Sequence, residues 1–352
     1  MPYTEPHRAG GERWVTARLI DRIPAYRWSV IIGLYSGISS AAFLVSYSVG
    51  VMLPEMRDDL AMGPVEAGVL GSATWVATIL LGVPVATLVS RYNPRTVIFL
   101  SGLYMALFAA LQGWAPTYEL ELAFRFAFMA GFVSRSANLA MLAQRWFRTD
   151  EIPRMQMVIM VINGAAQIAA LSAIPWFLIW LGGWRNTLYA VGALLTVASL
   201  VWVALTRDRP MGEAADVSEG DEGGSVAGAF SHQPIWVFGI SGAFCVIGTS
   251  AFEIFWPTFL VDVRGFSLQT AGLFAAAIPV GQIAGALCSQ FVRARVRQRW
   301  HQMYLTGVVC SGSMLTMSLI PFAPVLPLGA FGLGWACMQA TPTIMAIPYE
   351  LP

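Results

Sequence analysis

Apolar and polar positions alternate along this chain on a long scale. About twenty apolar residues are followed by a short polar break, and the pattern occurs ten times. The apolar stretches run at about 30–53, 67–89, 96–114, 119–143, 155–181, 186–205, 235–260, 267–292, 302–321 and 326–347. A helix rises about 1.5 Å per residue, so roughly 20 residues cross a hydrocarbon core of ~30 Å. Lipid offers backbone groups no hydrogen-bond partner, so each stretch is predicted to be a helix. The chain is therefore expected to be an all-α polytopic membrane protein. Its longest polar interruption, 207–233, carries Glu213, Asp216, Glu219, Asp221 and Glu222 among glycines and lacks apolar periodicity, which predicts a flexible linker. The expected organisation is a polar tail (1–28), a six-helix half (29–206), the acidic linker (207–233) and a second part with four helices (234–352).

Small residues suggest that the two parts are related. Gly82, Ala86 and Ser90 close the second stretch at spacings of four, followed by Arg91 and Arg95; Gly281, Gly285 and Ser289 close the eighth in the same way, followed by Arg293 and Arg295. Such spacing aligns small side chains on one helix face and lets another backbone approach. Two such stripes at matching places point to a parallel duplication. Six helices per repeat predicts twelve in all, so the sequence reads as truncated after its tenth span.

Composition narrows the function. The chain of 352 residues is 57% hydrophobic and 12% charged, which excludes an ordinary soluble domain. A net charge of +1 gives no field that would attract nucleic acid. All 21 basic residues are arginines, and most sit in the tail or in loops on the same side of the predicted bundle. Only Arg57, Arg185 and Arg264 fall in loops on the opposite side. The positive-inside rule then sets the N-terminus in the cytoplasm and the protein in the cell's inner (plasma) membrane. The tail lacks the short apolar core of a signal peptide. Cys245, Cys288, Cys310 and Cys337 lie within spans at no ligand-like spacing, and the three histidines lie in tails and loops, so no metal or cofactor is implied. Trp114, Trp184 and Trp256, near outer span ends, are expected to anchor at the membrane interface.

The loop after the second stretch resembles a motif of the major facilitator superfamily, Gly-x-Leu-x-Asp-Arg-x-Gly-Arg. Leu88, Arg91 and Arg95 match it, while Ala86, Ser90 and Asn93 replace glycine, aspartate and glycine. Arg125-Phe126 with Gly131 resembles the start of that family's fourth span, though Met129 replaces a glycine. Arg145-Trp146-Phe147 followed by Glu151 and Arg154, and Gly183-Trp184-Arg185 with Tyr189, are similar to its later loops. Tyr26-Arg27-Trp28 and Pro348-Tyr349-Glu350-Leu351-Pro352 are similar to segments of the branches that move nitrate, nitrite and cyanate. The proline-bearing glycine motif of drug exporters is poorly met, with Gly164 present but Ile168 and Ala169 at its next positions. The resemblance implies a pseudo-twofold bundle, with ten of twelve helices present, around a central cavity lined by spans 1, 4, 7 and 10. It also implies that Ser90, Arg91, Arg95, Gly285 and Ser289 belong to conformational motifs. Ser90 cannot supply the charge of the family's aspartate.

An ionisable side chain deep in a bilayer costs several kcal/mol, so it usually faces water, a partner or substrate. Arg125 and Arg135 lie inside the fourth span, and Glu121 precedes Arg125 by four, a pairing distance on a helix. Arg135 has no acid within four positions and shares a face with Gly131 and Asn138, so it is the candidate ligand for a planar oxyanion. Glu253 is the carboxylate well inside the seventh span, on a face with Thr249 and Trp256. It is a candidate for pairing with Arg125 in an outer gate, or for proton coupling, since desolvation disfavours its charge. Tyr35 and Ser39, Asn163 and Gln167, and Trp335 and Gln339 are further cavity candidates by helical spacing.

These features predict a monomeric secondary transporter that moves a small anionic solute by alternating access, with the proton as candidate coupling ion. The alternatives are a proton-coupled exporter of hydrophobic compounds, and a membrane sensor or inactive fragment. A membrane-embedded enzyme is disfavoured, because no histidine lies within a span and only one carboxylate lies deep. No nucleotide-binding P-loop pattern occurs.

Overall fold

The computed structural model describes residues 26–147, 151–206, 249–295 and 299–346. Among them, ten helical segments occupy the ten predicted spans and no strand occurs. After a π-helical turn at Arg27–Ile32 come α1 (Gly33–Asp59), α2 (Pro64–Val89), α3 (Pro94–Trp114), α4 (Tyr118–Trp146), α5 (Ile152–Leu181) and α6 (Trp184–Leu205). The described part of α7 covers 249–262. The eighth, α8, has two segments, Leu268–Ala275 and Ala277–Arg295; α9 is Arg299–Leu319 and α10 is Leu326–Ala346. Most of the predicted tail, the linker 207–233, the start of the seventh span and residues 347–352 lie outside the described residues.

Local chemistry explains the helix ends. Pro64 and Pro94 open α2 and α3, where a missing N–H costs nothing. Asn93 Oδ1 accepts from the Arg95 amide at 3.1 Å, and the Glu66 carboxylate accepts from the Gly63 amide at 2.7 Å. Gly182 closes α5 at φ 74°, a left-handed conformation suited to glycine. The first helix outruns its apolar stretch by a turn and a half, continuing through Pro54, and the next helix opens at Gly63-Pro64. That extension carries Glu55, Arg57 and Asp59 beyond the predicted boundary.

Seven of the described helices are long and apolar enough to cross a membrane. α1 to α6 pack into one bundle, with α3 held between α4 and α6 and α1 against α5 and α6. α8, α9 and α10 pack into a second, joined to the first through α5. We call the end at which α1 begins proximal and the other distal. Close contacts between the bundles run from mid-depth to the distal end. A Cβ on Gly50 of α1 would overlap the Ile254 carbonyl, and one on Gly71 of α2 would overlap the Phe255 ring. One on Gly272 of α8 would overlap the Leu171 carbonyl of α5. The Thr258 hydroxyl donates to the Gly50 carbonyl at 2.9 Å, and Arg57 pairs with Asp262 at 2.8 Å.

The two small-residue stripes differ. On α8, Gly281 and Gly285 lie directly under α10, where a Cβ would overlap the carbonyls of Phe331 and Trp335. A Cβ on Gly82 of α2 would meet nothing within 4 Å. Two of the three expected tryptophan anchors are corrected. Trp114 is exposed, but Trp184 and Trp256 are buried, and Trp184 donates to Asp59 at 3.1 Å. Extension of α1 past the apolar boundary brings Asp59 to Trp184, which turns an interface residue into an internal tie.

Candidate functional site

Between the bundles, in the proximal half, lies a cavity of about 300 Å³. α1 contributes Tyr35, Ser39 and Phe43; α4 contributes Phe132, Arg135 and Ser136; α5 contributes Gln156, Asn163 and Gln167; α8 contributes Gln282; α10 contributes Met338. Four residues selected by helical spacing, Tyr35, Ser39, Asn163 and Gln167, therefore share one cavity with Arg135, selected as an arginine within a span.

Arg135 is the chemical centre. Its side chain is 2% exposed, and its guanidinium carbon lies 5.0 Å from the centroids of both the Tyr35 and Phe132 rings. These faces stabilise the cation. Nε and Nη1 find no hydrogen-bond partner among the described residues. A buried guanidinium with open donors is costly alone and matches an oxyanion that supplies the missing acceptors. Asn138, one turn along, does not line the cavity. Its Nδ2 donates to the Ser134 carbonyl at 2.9 Å, while its buried Oδ1 has no hydrogen-bond partner among the described residues.

Arg125 behaves differently. It donates to the Ser46 carbonyl at 3.1 Å, to Thr74 Oγ1 at 3.0 Å and to Gln112 Oε1 at 3.5 Å. The expected pairing with Glu121 is not formed: both Glu121 oxygens are buried without a hydrogen-bond partner among the described residues. The expected contact of Arg125 with Glu253 is also absent from this conformation. Glu253 instead accepts a hydrogen bond from Gln282 Nε2. Spacing along α4 placed Glu121 correctly, but the Arg125 side chain reaches across to α1, α2 and α3, whose polar atoms no local pattern reveals.

On α10, Gln339 is buried and accepts from the Thr306 hydroxyl at 2.7 Å, while the Trp335 backbone forms the crossing with Gly285. Neither lines the cavity. Ser90 and Arg91 are exposed at the proximal end of α2, where Ser90 Oγ donates to the Thr87 carbonyl at 3.0 Å. Arg95 reaches the Val203 carbonyl at 2.6 Å, tying α3 to α6, and Ser289 donates to the Ala286 carbonyl at 2.7 Å.

Sequence reasoning missed Gln156, Ser136 and Gln282. Gln156 stands seven residues before Asn163, on the same face of α5, so its signal was present. Gln282 stands beside Gly281 in the small-residue stripe, and only the α5–α8 crossing turns it toward the cavity. At the distal end the Asp59 carboxylate pairs with Arg185 at 2.9 Å, a tie that spacing did not suggest either.

The profile of the Major Facilitator Superfamily matches residues 34–352. The chain belongs to this superfamily. A "Probable galactarate/D-glucarate transporter GudP" of Escherichia coli K12 is 23% identical over 281 residues, covering 68% of this chain and 61% of that protein. The protein of the same description from Bacillus subtilis 168 is 22% identical over 364 residues, covering 90% of this chain and 78% of that one. A "Probable L-galactonate transporter" of Escherichia coli K12 is 23% identical over 268 residues, covering 71% of this chain and 58% of that protein. Among solved structures, a bacterial homolog of the human lysosomal transporter Spinster, inward-facing and unoccupied, superposes with a TM-score of 0.72 at 18% identity, covering 91% of this chain and 75% of that one. The nucleoside transporter NupG superposes at 0.69 with 13% identity, covering 91% and 83%. These likenesses establish the fold. The family to which it belongs is one of multi-pass membrane transporters.

Proposed function

We propose that this superfamily member carries a small hydroxylated organic acid by alternating access between its two bundles. The observation that carries this reading is Arg135: a buried cation with Nε and Nη1 unpaired among the described residues, in a largely apolar cavity that also presents Tyr35, Ser39, Ser136, Gln156, Asn163, Gln167 and Gln282. The guanidinium supplies two parallel donors for a carboxylate, and Ser39, Asn163, Gln167 and Gln156 supply donors and acceptors for hydroxyl groups. The names of the relatives, which describe sugar-acid transporters, agree with this chemistry. The arginine asymmetry supports a cytoplasmic proximal end, so that the cavity lies on the cytoplasmic side. In this arrangement Glu253 is the coupling carboxylate and the proton its ion, because Glu253 reaches the cavity through Gln282.

The test is binding of D-gluconate and D-glucarate to the purified protein by calorimetry, with sorbitol as the uncharged control and lipophilic cations as competitors. At least one acid binds, sorbitol and the cations do not compete, and Arg135→Ala removes binding. Equal affinities in the wild type and Arg135→Ala would overturn the reading. For coupling, Glu253→Gln abolishes the response of uptake to a pH gradient; an undiminished response would exclude proton coupling through this residue.

A further inference from the structure

We infer that the cavity selects acids with one carboxylate over those with two, so that its substrate is a hydroxylated monocarboxylate. This inference rests on the reading of Arg135 as the anion site. Among the described residues, Arg135 is the cation that lines the cavity. The chain has no lysine, and the other arginine within its spans, Arg125, points its donors at Ser46, Thr74 and Gln112 instead. Residues 235–248 and 340–346 contain no basic side chain.

The α8 side of the cavity has the opposite character. Gln282 lines it and turns its amide nitrogen to Glu253. That bond uses an amide hydrogen and leaves the Gln282 carbonyl oxygen as an acceptor, backed by a carboxyl group. An acceptor suits a hydroxyl donor and repels a carboxylate. Glu253 offers no positive charge in either protonation state, and when ionised it repels a second anion across a poorly screened gap. The site therefore has a cationic pole at Arg135, flanked by Tyr35 and Phe132, and an acceptor pole at Gln282. A molecule with a carboxylate at one end and hydroxyls along the rest satisfies both. A dicarboxylate places its second charge at the acceptor pole without a partner, and that mismatch discriminates against it.

The experiment compares D-gluconate with D-glucarate, which share a carbon chain, by calorimetry on the full chain in detergent at alkaline pH. Wild-type protein is expected to bind gluconate about tenfold tighter than glucarate, and Glu253→Gln to narrow that ratio to about threefold or less by relieving the repulsion. Glucarate binding as tight as gluconate in the wild type, with both lost in Arg135→Ala, would overturn the inference and leave Arg135 as the anion site. A ratio unchanged in a folded Glu253→Gln protein would overturn the role of Glu253. Binding of neither acid would overturn both the inference and the reading beneath it. The wild-type comparison needs no variant, so it stands even if Glu253→Gln fails to fold.

Discussion

Arg125 and Arg135 lie ten residues apart on α4, and both are almost fully buried, yet the regions around them do opposite things. Around Arg125, in the distal half, donors from one guanidinium meet acceptors on α1, α2 and α3. Around Arg135, in the proximal half, aromatic faces flank the cation, and Nε and Nη1 stay unpaired among the described residues beside a cavity that Arg135 lines. Burial alone does not mark a functional charge. The two differ in how far the protein supplies acceptors: among the described residues Arg125 keeps Nε unpaired, and Arg135 keeps Nε and Nη1 unpaired. The same contrast holds for the bundles as a whole. At the distal end Gly50 and Gly272 bring helices into backbone contact and Gly71 receives the Phe255 ring, whereas the proximal half holds the space.

This comparison can be broken in order of expected effect. Arg125→Ala should destabilise the protein by about 3–5 kcal/mol, since it leaves buried acceptors unmet and Glu121 without its nearby cation. The measurement is thermal unfolding, and a variant as stable as wild type would show that the network around Arg125 is not structural. Arg135→Ala should reverse that pattern, costing about 2–3 kcal/mol of binding, or roughly 30- to 150-fold in Kd, with little change in unfolding. Arg135→Lys sharpens the point: it keeps the charge, loses the fork of donors, and should recover only part of the affinity. Gly50→Val should cost about 1–3 kcal/mol by overpacking the contact with Ile254. It should also raise thiol labelling of a Phe255→Cys reporter; unchanged labelling would mean that this crossing does not close the distal end. Arg57→Gln should do least, below about 1 kcal/mol, because its ion pair with Asp262 is one-third exposed and screened.

Much of the fold was legible before any coordinates. Runs of about twenty apolar residues must form helices in lipid, and ten such segments appear where hydropathy places them. The site was legible in part, and unevenly. Tyr35, Ser39, Asn163 and Gln167 could be chosen because polar residues at helical spacing on an apolar helix mark a face turned from lipid. The same rule also selected Trp335 and Gln339, which meet α8 and α9 instead of the cavity. Spacing reports which residues share a face, but not what that face meets.

The sequence by itself determined the membrane class, the number and place of the described spans, and the presence of two arginines and one deep carboxylate within them. The reason is that the bilayer acts on each segment separately, through burial of its own side chains and satisfaction of its own backbone. Only the tertiary structure decided that Arg125 is answered by three neighbouring helices, that Arg135 lies between the Tyr35 and Phe132 rings with Nε and Nη1 unpaired among the described residues, and that Gln282 links Glu253 to the cavity. Those outcomes depend on distances between segments remote in the chain, set by how closely glycine-bearing faces let helices cross.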